Sequence, residues 1–585
     1  MTSLDKLYQD ELKLLKDSAR VFNEQHPALT EHLVKESNDP DVEMIMQGVA
    51  YLTAKFKQEL EEPFSQALQS LSQVLAPALM QPIPASAILS FKPKVGLLKP
   101  ITVKADAYFD SKAVTHKGGS HPCRFKGSWD TEVLPITLNQ ISQNYNEQQV
   151  SGITSRLIEL KLEFDSSRND LANFSFDKIR LFINQPLSDA SLWLFMFAKQ
   201  LVNLELKDKN STIALNTKAI KLIGFEEEFA LFDFDSVAQS HRVLQEYFIQ
   251  PDKFLFIEID VSAWQSRMGE NFSLTCRFTQ PNWPLPELLP SHLHLFAMPI
   301  VNQFEHFCEP TAITNKDHHI ALVAKSDPTA NAQALSIIDI KSVESILQGR
   351  EINRKFENIL KPNSLIKRKS SFYFFRKHGT IDGEVSNWLA LEFPAHKPLV
   401  SHEVLRAKVI CCHGAIAQHL ALGDINKPTS TSSELMTFEN ITLCTEYQYP
   451  QIASESAWHV ISDQALSITS IKDVEQLKQI LKHHIPNQTK LSAKQKTNLF
   501  RIEALEKLVV IEKDHFNNGA LSRGKEFKLS INGDNFTNVG DMFLFCSIIN
   551  KLLALSTPIN SFSQLKTIDL RTGESLEWPI LVGKN

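Results

Sequence analysis

The chain has 585 residues, more than a single hydrophobic core usually serves, so several domains are expected. Hydrophobic residues make up 43% of the chain and charged residues 22%, as in ordinary globular proteins. The net charge of −6 is small for this length and argues against a nucleic-acid or membrane-surface role driven by charge. Nucleic acid is therefore not an expected partner.

Residues 1–84 are predicted to form three amphipathic helices. Apolar residues recur every three or four positions from Leu4 to Phe22 and again from Val42 to Leu60, which is the spacing of one helical face. Pro63 begins a third periodic stretch, and further prolines end the helical segment at Pro84. No catalytic residue types are arranged on these helices. Their long apolar faces are typical of a helical bundle, built either within the chain or with partners.

After Pro84 the pattern changes to short alternating strands, predicted at 87–91, 156–164, 178–183, 254–259, 274–278 and 526–531. Helices are predicted at 190–204, 471–484 and 541–555. Clusters of small, polar or charged residues predict loops at 207–211, 326–332, 423–433 and 486–497.

The predicted fold class is α+β and multidomain. We expect a helical segment at 1–84, a β-rich domain with one helix at 85–250, a second β-rich domain at 251–450, and a mixed α/β domain at 451–585.

Seven irregularly spaced cysteines and the lack of a signal peptide predict reduced thiols in a cytoplasmic protein. The longest apolar runs fall well short of the ~20 residues that span a bilayer. The protein is therefore not predicted to insert into a membrane by itself.

The segment Gly519–Glu526 is close to a phosphate-binding loop. That motif needs Ser or Thr after the lysine and a helix to follow, whereas Glu526 follows Lys525 and the next residues alternate as a strand. A turn and strand start is the preferred interpretation.

Two short segments hold residue types that bind metals: Glu305 to Glu309, and Cys411 to His413. Neither spacing matches a known ligand set, and no Cys-x-x-Cys occurs, so no metal or other cofactor is predicted. The preferred interpretation is buried thiols beside surface His and Glu.

Basic and aromatic residues mix between Lys367 and His378, as in a single-stranded nucleic-acid or anionic-membrane site, but an aromatic strand with a solvated charged face is the preferred interpretation. No Gly-x-Ser-x-Gly elbow marks a hydrolase, and no catalytic residues are predicted. An enzyme of unrecognised class and a receptor- or carbohydrate-binding module of the phage-tail type remain alternatives.

Several segments, in order along the chain, resemble one family. They are Leu7-Tyr8-Gln9-Asp10-Glu11-Leu12, Pro82-Ile83-Pro84-Ala85, Pro122-Cys123-Arg124-Phe125, Leu244-Gln245-Glu246-Tyr247-Phe248 with Pro251-Asp252-Lys253-Phe254, Pro299-Ile300-Val301-Asn302-Gln303-Phe304-Glu305, and Ile559-Asn560-Ser561-Phe562. The family is TssF, also called ImpG or VasA, of the type VI secretion baseplate. So many matches in the same order along 585 residues make chance an unsatisfactory explanation.

The resemblance implies a structural wedge subunit that is not an enzyme. Its implied partners are TssG, TssE, TssK, a second TssF copy and the hub protein VgrG, around the base of a contractile sheath docked at the inner membrane. Function would then lie in interfaces, and obligate interfaces are large and apolar. The apolar stripes fit intramolecular packing and a shared bundle equally well. The residues predicted to bind partners are Leu7, Leu15, Phe22, Val42, Val49, Phe56, Ile559 and Phe562.

Overall fold

The structure is a computed structural model. It describes residues 8–18, 43–56, 71, 81–116, 119–150, 153–166, 170–209, 211–232, 239–313, 319–325, 335–347, 352–359, 371–379, 385–393, 403–449, 471–485, 492–517, 520–555 and 557–583. Residues 8–18 and 43–56 are helical, as their periodicity predicts. Helices, a barrel and several sheets make up the rest, so the fold is α+β and multidomain.

Three sheets form the middle of the molecule. The first pairs Met436–Asn440, Ser86–Pro93, Ala297–Val301, Gly119–Gly127 and Tyr108–His116 in that order, and the ribbon of Ile101–Val103 and Thr131–Val133 lies apart from it. The second pairs Thr212–Leu215, Leu201–Lys207, Asn271–Thr279, Ile153–Asp165 and Thr137–Val150. The third pairs Ile220–Ile223, Phe256–Asp260, Lys178–Ile183 and Leu293–His294. Each of these three sheets contains strands from before residue 250 and strands from after it. The predicted domain boundary between residues 250 and 251 therefore stays a prediction.

A chain excursion between Ala297–Val301 and Met436–Asn440 forms a sheet of its own with a separate hydrophobic core. Its strands are Phe304–Phe307, Thr311–Ala312, His319–Ala321, Ser336–Leu347, Ile352–Asn358, Ser371–Gly379, Val385–Glu392 and Glu403–Cys412. Hydrogen bonds from Glu309 N to Val323 O and from Lys325 N to Phe307 O, both 2.9 Å, connect the two edges of this sheet. They close it into a barrel.

Asn302 and His413 hold together the two points at which the chain enters and leaves the barrel. The backbone N–H of His413 donates to Asn302 Oδ1 at 2.7 Å, and Asn302 Nδ2 donates to Arg124 O at 2.8 Å on the first sheet. Asn302 is fully buried, so these bonds satisfy an amide that would otherwise lose its water partners. The segment beginning Pro299-Ile300-Val301-Asn302 thus anchors the barrel to the sheet beneath it.

The C-terminal sheet orders Leu505–Asn517, Ala520–Ile531, Phe562–Asp569 and Ser575–Glu577, and Leu581–Val582 pairs with the third of these strands. Its inner face, which includes Phe527, Leu529 and Leu565, belongs to the main core. Helix Val539–Leu555 is apolar almost all round and is buried, as expected of a helix packed on several sides. Gly540 lets this helix cross Leu187–Phe195 closely, because a Cβ there would lie 2.4 Å from the Leu192 backbone. The remaining helices are Gln239–Ile249, Val474–His483 and Ala493–Glu503.

Two predicted boundaries are wrong. The predicted helix at 190–204 ends earlier, since Leu187–Phe195 passes through a π-helical turn at Met196–Gln200 into the strand Leu201–Lys207. That strand pairs with Asn271–Thr279, and a non-local partner of this kind leaves no mark in local periodicity. The predicted loop at 486–497 overlaps helix Ala493–Glu503, which Ser492 and Gln495 begin with a capping box.

A buried ion pair between Glu246 and Lys253 connects two of the segments that resemble the family. Lys253 Nζ donates to Glu246 Oε2, and Glu246 Oε1 accepts from the backbone N–H of Leu231 at 2.7 Å. Both charged side chains are fully buried, and burial lowers the pKa of Lys253. The pair joins helix Gln239–Ile249 to the turn Pro251–Phe254, so its role here is to hold the fold.

Candidate interaction surfaces

The predicted partner-binding residues of the N-terminal helices are only partly within the described structure. Leu7, Phe22 and Val42 lie outside the described residues. Leu15 is half-buried on the helix at 8–18. Val49 and Phe56 are 45% and 63% exposed, which is unusual for large apolar side chains.

Val49 and Phe56 belong to a continuous apolar stripe with Ile45 and Leu52, whose exposures are 64% and 66%. At about 100° per residue these four positions fall within roughly 60° of one helical face. The opposite face holds Ala50 and Ala54, which are fully buried. The helix at 43–56 therefore uses small residues for packing within the chain and leaves its large apolar residues exposed. We call Ile45, Val49, Leu52 and Phe56 the apolar stripe; exposed contiguous apolar surface of this kind marks interaction sites.

The structure separates the two predicted residues near the C-terminus. Ile559 is 63% exposed, in a turn where Asn560 has a positive φ of 67°, a conformation that asparagine tolerates. Phe562 is only 1% exposed and lies against Gly524, where an added Cβ would approach the ring to 2.5 Å. Phe562 thus packs within the chain, and Ile559 is the accessible member. A partner role for either stays a prediction.

Both metal-capable segments lie on one pair of strands, because Phe304–Phe307 pairs with Glu403–Cys412. Their side chains are otherwise engaged: Glu305 forms ion pairs with Lys341 and Lys408, and His306 Nε2 lies 3.0 Å from Lys325 O. Within the described ranges, no three His, Cys, Asp or Glu side chains are grouped to hold a metal ion.

The cysteines are free, and all except the half-buried Cys444 are buried. Burial raises the pKa of Cys123 to about 12 and that of Cys412 to about 11. Thiols with such pKa values carry little thiolate at neutral pH and are poor nucleophiles.

The two segments that resemble nucleotide or nucleic-acid sites are strands. Gly524 to Glu526 lie within Ala520–Ile531, as the preferred interpretation predicts. In Ser371–Gly379, Tyr373 is buried in the barrel core, and the buried Lys377 Nζ donates to Ile338 O at 2.7 Å. These two side chains therefore face the core of the barrel, as expected of the strand interpretation, whereas Lys367 to Lys369 lie outside the described residues.

Sequence reasoning missed one further surface, the face of the C-terminal sheet that points away from the helices. Register places Val509 beside Lys528 and Ile511 beside Glu526 on this face. Lys566 and Ile568 continue it on the next strand. Alternation in Ala520–Ile531 gave a signal for the strand, but only the register shows which lysines share a face.

None of the helices in the described part of the chain has the length and hydropathy that crossing a membrane requires. The fold and its surfaces define a multidomain α+β protein with large exposed apolar side chains on a helix and a mixed apolar and basic face on a sheet.

The chain belongs to the TssF family of the type VI secretion system, whose family model matches residues 1–585. It is 24% identical over 337 residues to the type VI secretion system component TssF1 of Pseudomonas aeruginosa. That alignment covers 54% of each chain, so this chain spans about half the length of the curated relative it matches.

Two solved structures share the fold. One is from a TssK-TssF-TssG baseplate subcomplex of the type VI secretion system, with a TM-score of 0.76, 20% identity and coverage of 92% of this chain and 98% of that one. The other is from the baseplate complex of that system, with a TM-score of 0.66, 16% identity and full coverage of both chains. The similarity confirms the α+β multidomain architecture over almost the entire chain.

Proposed function

We propose that this protein is a structural subunit of the type VI secretion baseplate, working through interfaces and not through a catalytic site. The observation that carries the proposal is the family match along all 585 residues. Support comes from the solved structures with this fold, which belong to baseplate assemblies.

The first partners we propose are TssG and TssK, which are named together with TssF in one of those assemblies. From the family resemblance we extend the proposal to TssE, a second copy of this chain and the hub protein VgrG. The assembly would lie in the cytoplasm and reach the inner membrane only through other components of the apparatus.

The apolar stripe supplies a physical reason for assembly. Fully burying a Val, Leu, Ile or Phe side chain is worth ~1.5–3 kcal/mol, so four such residues give a strong drive to cover the stripe. Helices with exposed apolar faces bury them most effectively against other helices. We propose that the stripe packs against a helix of another baseplate subunit and that Val49 and Phe56 are among the residues in contact.

Co-expression with TssG and TssK from the same organism tests the function. The protein should co-purify with both through affinity and size-exclusion steps, and it should self-associate or yield poorly when expressed alone. A well-behaved monomer that captures neither partner would contradict the proposal.

A further inference from the structure

The open face of the C-terminal sheet, on the side away from the helices, combines basic and apolar side chains. Its basic residues come from three adjacent strands and are Lys507, Lys513, Lys528 and Lys566. Its acidic residues are Glu526, Glu577 and Glu506, which is exposed in the bulge beside Lys507, so four lysines against three glutamates leave a net charge of +1. The whole chain carries −6, so positive charge is concentrated here against the overall balance.

Glu526 holds three of these lysines together. Its carboxylate lies 2.9 Å from Lys513 Nζ, 3.5 Å from Lys566 Nζ and 3.6 Å from Lys528 Nζ. The hydrogen bond from Lys513 lowers the pKa of Glu526, so the carboxylate stays ionised at neutral pH. One carboxylate cannot neutralise three ammonium groups, even with Glu577 at 3.2 Å from Lys566, and the arrangement keeps a positive surplus in place.

Apolar side chains lie between the charges. Val509, Ile511 and Ile568 are 39%, 38% and 40% exposed, and Val509 stands directly beside Lys528 in the strand register. Each of these side chains has apolar surface still to bury, while the lysines around them need carboxylates.

We infer that this face binds an acidic segment of a partner protein, in which carboxylates stand beside apolar side chains. The carboxylates would meet the positive surplus of the face, and the partner's apolar residues would cover Val509, Ile511 and Ile568. The inference concerns a surface separate from the apolar stripe.

Charge and apolar surface together select this occupant over the others. A second copy pairing the same face through a two-fold axis would bring positive charge against positive charge, which repels. A phosphate backbone brings no apolar side chains to cover Val509, Ile511 and Ile568, and no aromatic residue of this face is exposed for stacking on bases within the described strands.

Zero-length carbodiimide cross-linking tests the inference, because it joins lysine amines to carboxylates in direct contact. The sample is the full chain co-purified with TssG and TssK, analysed by mass spectrometry. We expect Lys507 and Lys528 to be joined to Asp or Glu of another protein. Lys104 and Lys355, whose side chains are 72% and 74% exposed elsewhere, serve as controls for random cross-linking.

With the double substitution Lys507→Glu and Lys528→Glu, cross-links from the remaining lysines of the face, Lys513 and Lys566, to the partner should fall about tenfold, whereas Lys104→Glu with Lys355→Glu should leave them unchanged. Circular dichroism confirms folding, and Lys507→Gln with Lys528→Gln provides a milder variant in case the reversal unfolds the sheet. A mixture of isotopically labelled and unlabelled chains identifies contacts between copies. Contacts only between copies, retention on anionic vesicles alone, or no intermolecular product would each overturn the inference, while co-purification with TssG and TssK would still support the proposed function.

Discussion

The apolar stripe on the helix at 43–56 and the open face of the C-terminal sheet are both proposed to bind partners, but they differ in chemistry. The stripe exposes four large apolar residues with no charge among them, whereas the open face surrounds three half-exposed apolar residues with four lysines. The stripe resembles half of a protein core, the typical surface of a permanent interface, and the open face resembles a contact that charge guides.

The two surfaces should therefore respond differently to the same disturbance. Burial of apolar area is little affected by moderate salt, whereas contacts between ammonium and carboxylate groups weaken as the screening length falls. Their settings in the fold also differ, because the sheet is fixed to the main core through helix Val539–Leu555 and its open face depends on that packing.

The largest expected effect comes from charges placed in the stripe. Val49→Asp with Phe56→Asp should raise the Kd for the subunit that covers the stripe by roughly 10³-fold, about 4 kcal/mol, because two carboxylates would be buried without partners. Co-purification with TssG and TssK measures the loss. Gln47→Asp, at an exposed position of the same helix outside the stripe, is the control and should leave the yield unchanged. An intact complex with the double variant would show that the stripe is not an interface.

The second test compares the stability effects of replacing one glycine in each region with alanine. Gly540→Ala should destabilise the fold by about 3 kcal/mol, since its Cβ would lie 2.4 Å from the backbone of Ser191 and Leu192. Gly48→Ala has no atom within 4 Å of the added Cβ and should stabilise its helix by about 0.5–1 kcal/mol. Urea unfolding followed by circular dichroism measures both. Equal effects at the two glycines would mean that the close helix crossing does not constrain the C-terminal sheet.

A third test uses salt. Raising NaCl from about 0.1 M to about 1 M shortens the Debye length from ~10 Å to ~3 Å. Cross-links from Lys507 and Lys528 should then fall several-fold while the subunits remain co-purified through the stripe. If a protein with the unsubstituted stripe lost the whole complex at high salt, the proposed difference in salt dependence between the two surfaces would be wrong.

The smallest expected effect is a gain in the affinity of the open face for its partner. Glu526→Gln removes one negative charge from the open face and should strengthen capture of an acidic partner about two- to threefold. Glu574→Gln makes the same charge change at an exposed position in the turn before Ser575–Glu577 and should change nothing. Weaker binding by Glu526→Gln would indicate that its carboxylate arranges the lysines and that this arrangement matters more than net charge.

Much of the local structure could be predicted from sequence. The strand at 526–531 and the helix at 541–555 are confirmed within Ala520–Ile531 and Val539–Leu555, because alternation and a long apolar run are local signals. The strand Leu201–Lys207 and the closed barrel were not predicted, because both depend on pairings between residues far apart in sequence.

The surfaces follow the same rule. Apolar periodicity selected Val49 and Phe56 but could not show that they are exposed, and the family resemblance selected Phe562, which is buried. The lysines of the open face come from three strands and share a face only through the register of the folded sheet. A sequence pattern identifies the faces of one element, whereas the fold decides which faces are covered.

Hydrogen–deuterium exchange of the full chain, alone and in complex with TssG and TssK, tests the central claim most directly. If the protein works through these surfaces, exchange on assembly should slow at 43–56 and in the strands Leu505–Asn517 and Ala520–Ile531, while the core helix Val539–Leu555 stays unchanged. Unchanged exchange in both regions, with protection confined to other parts of the chain, would contradict the account.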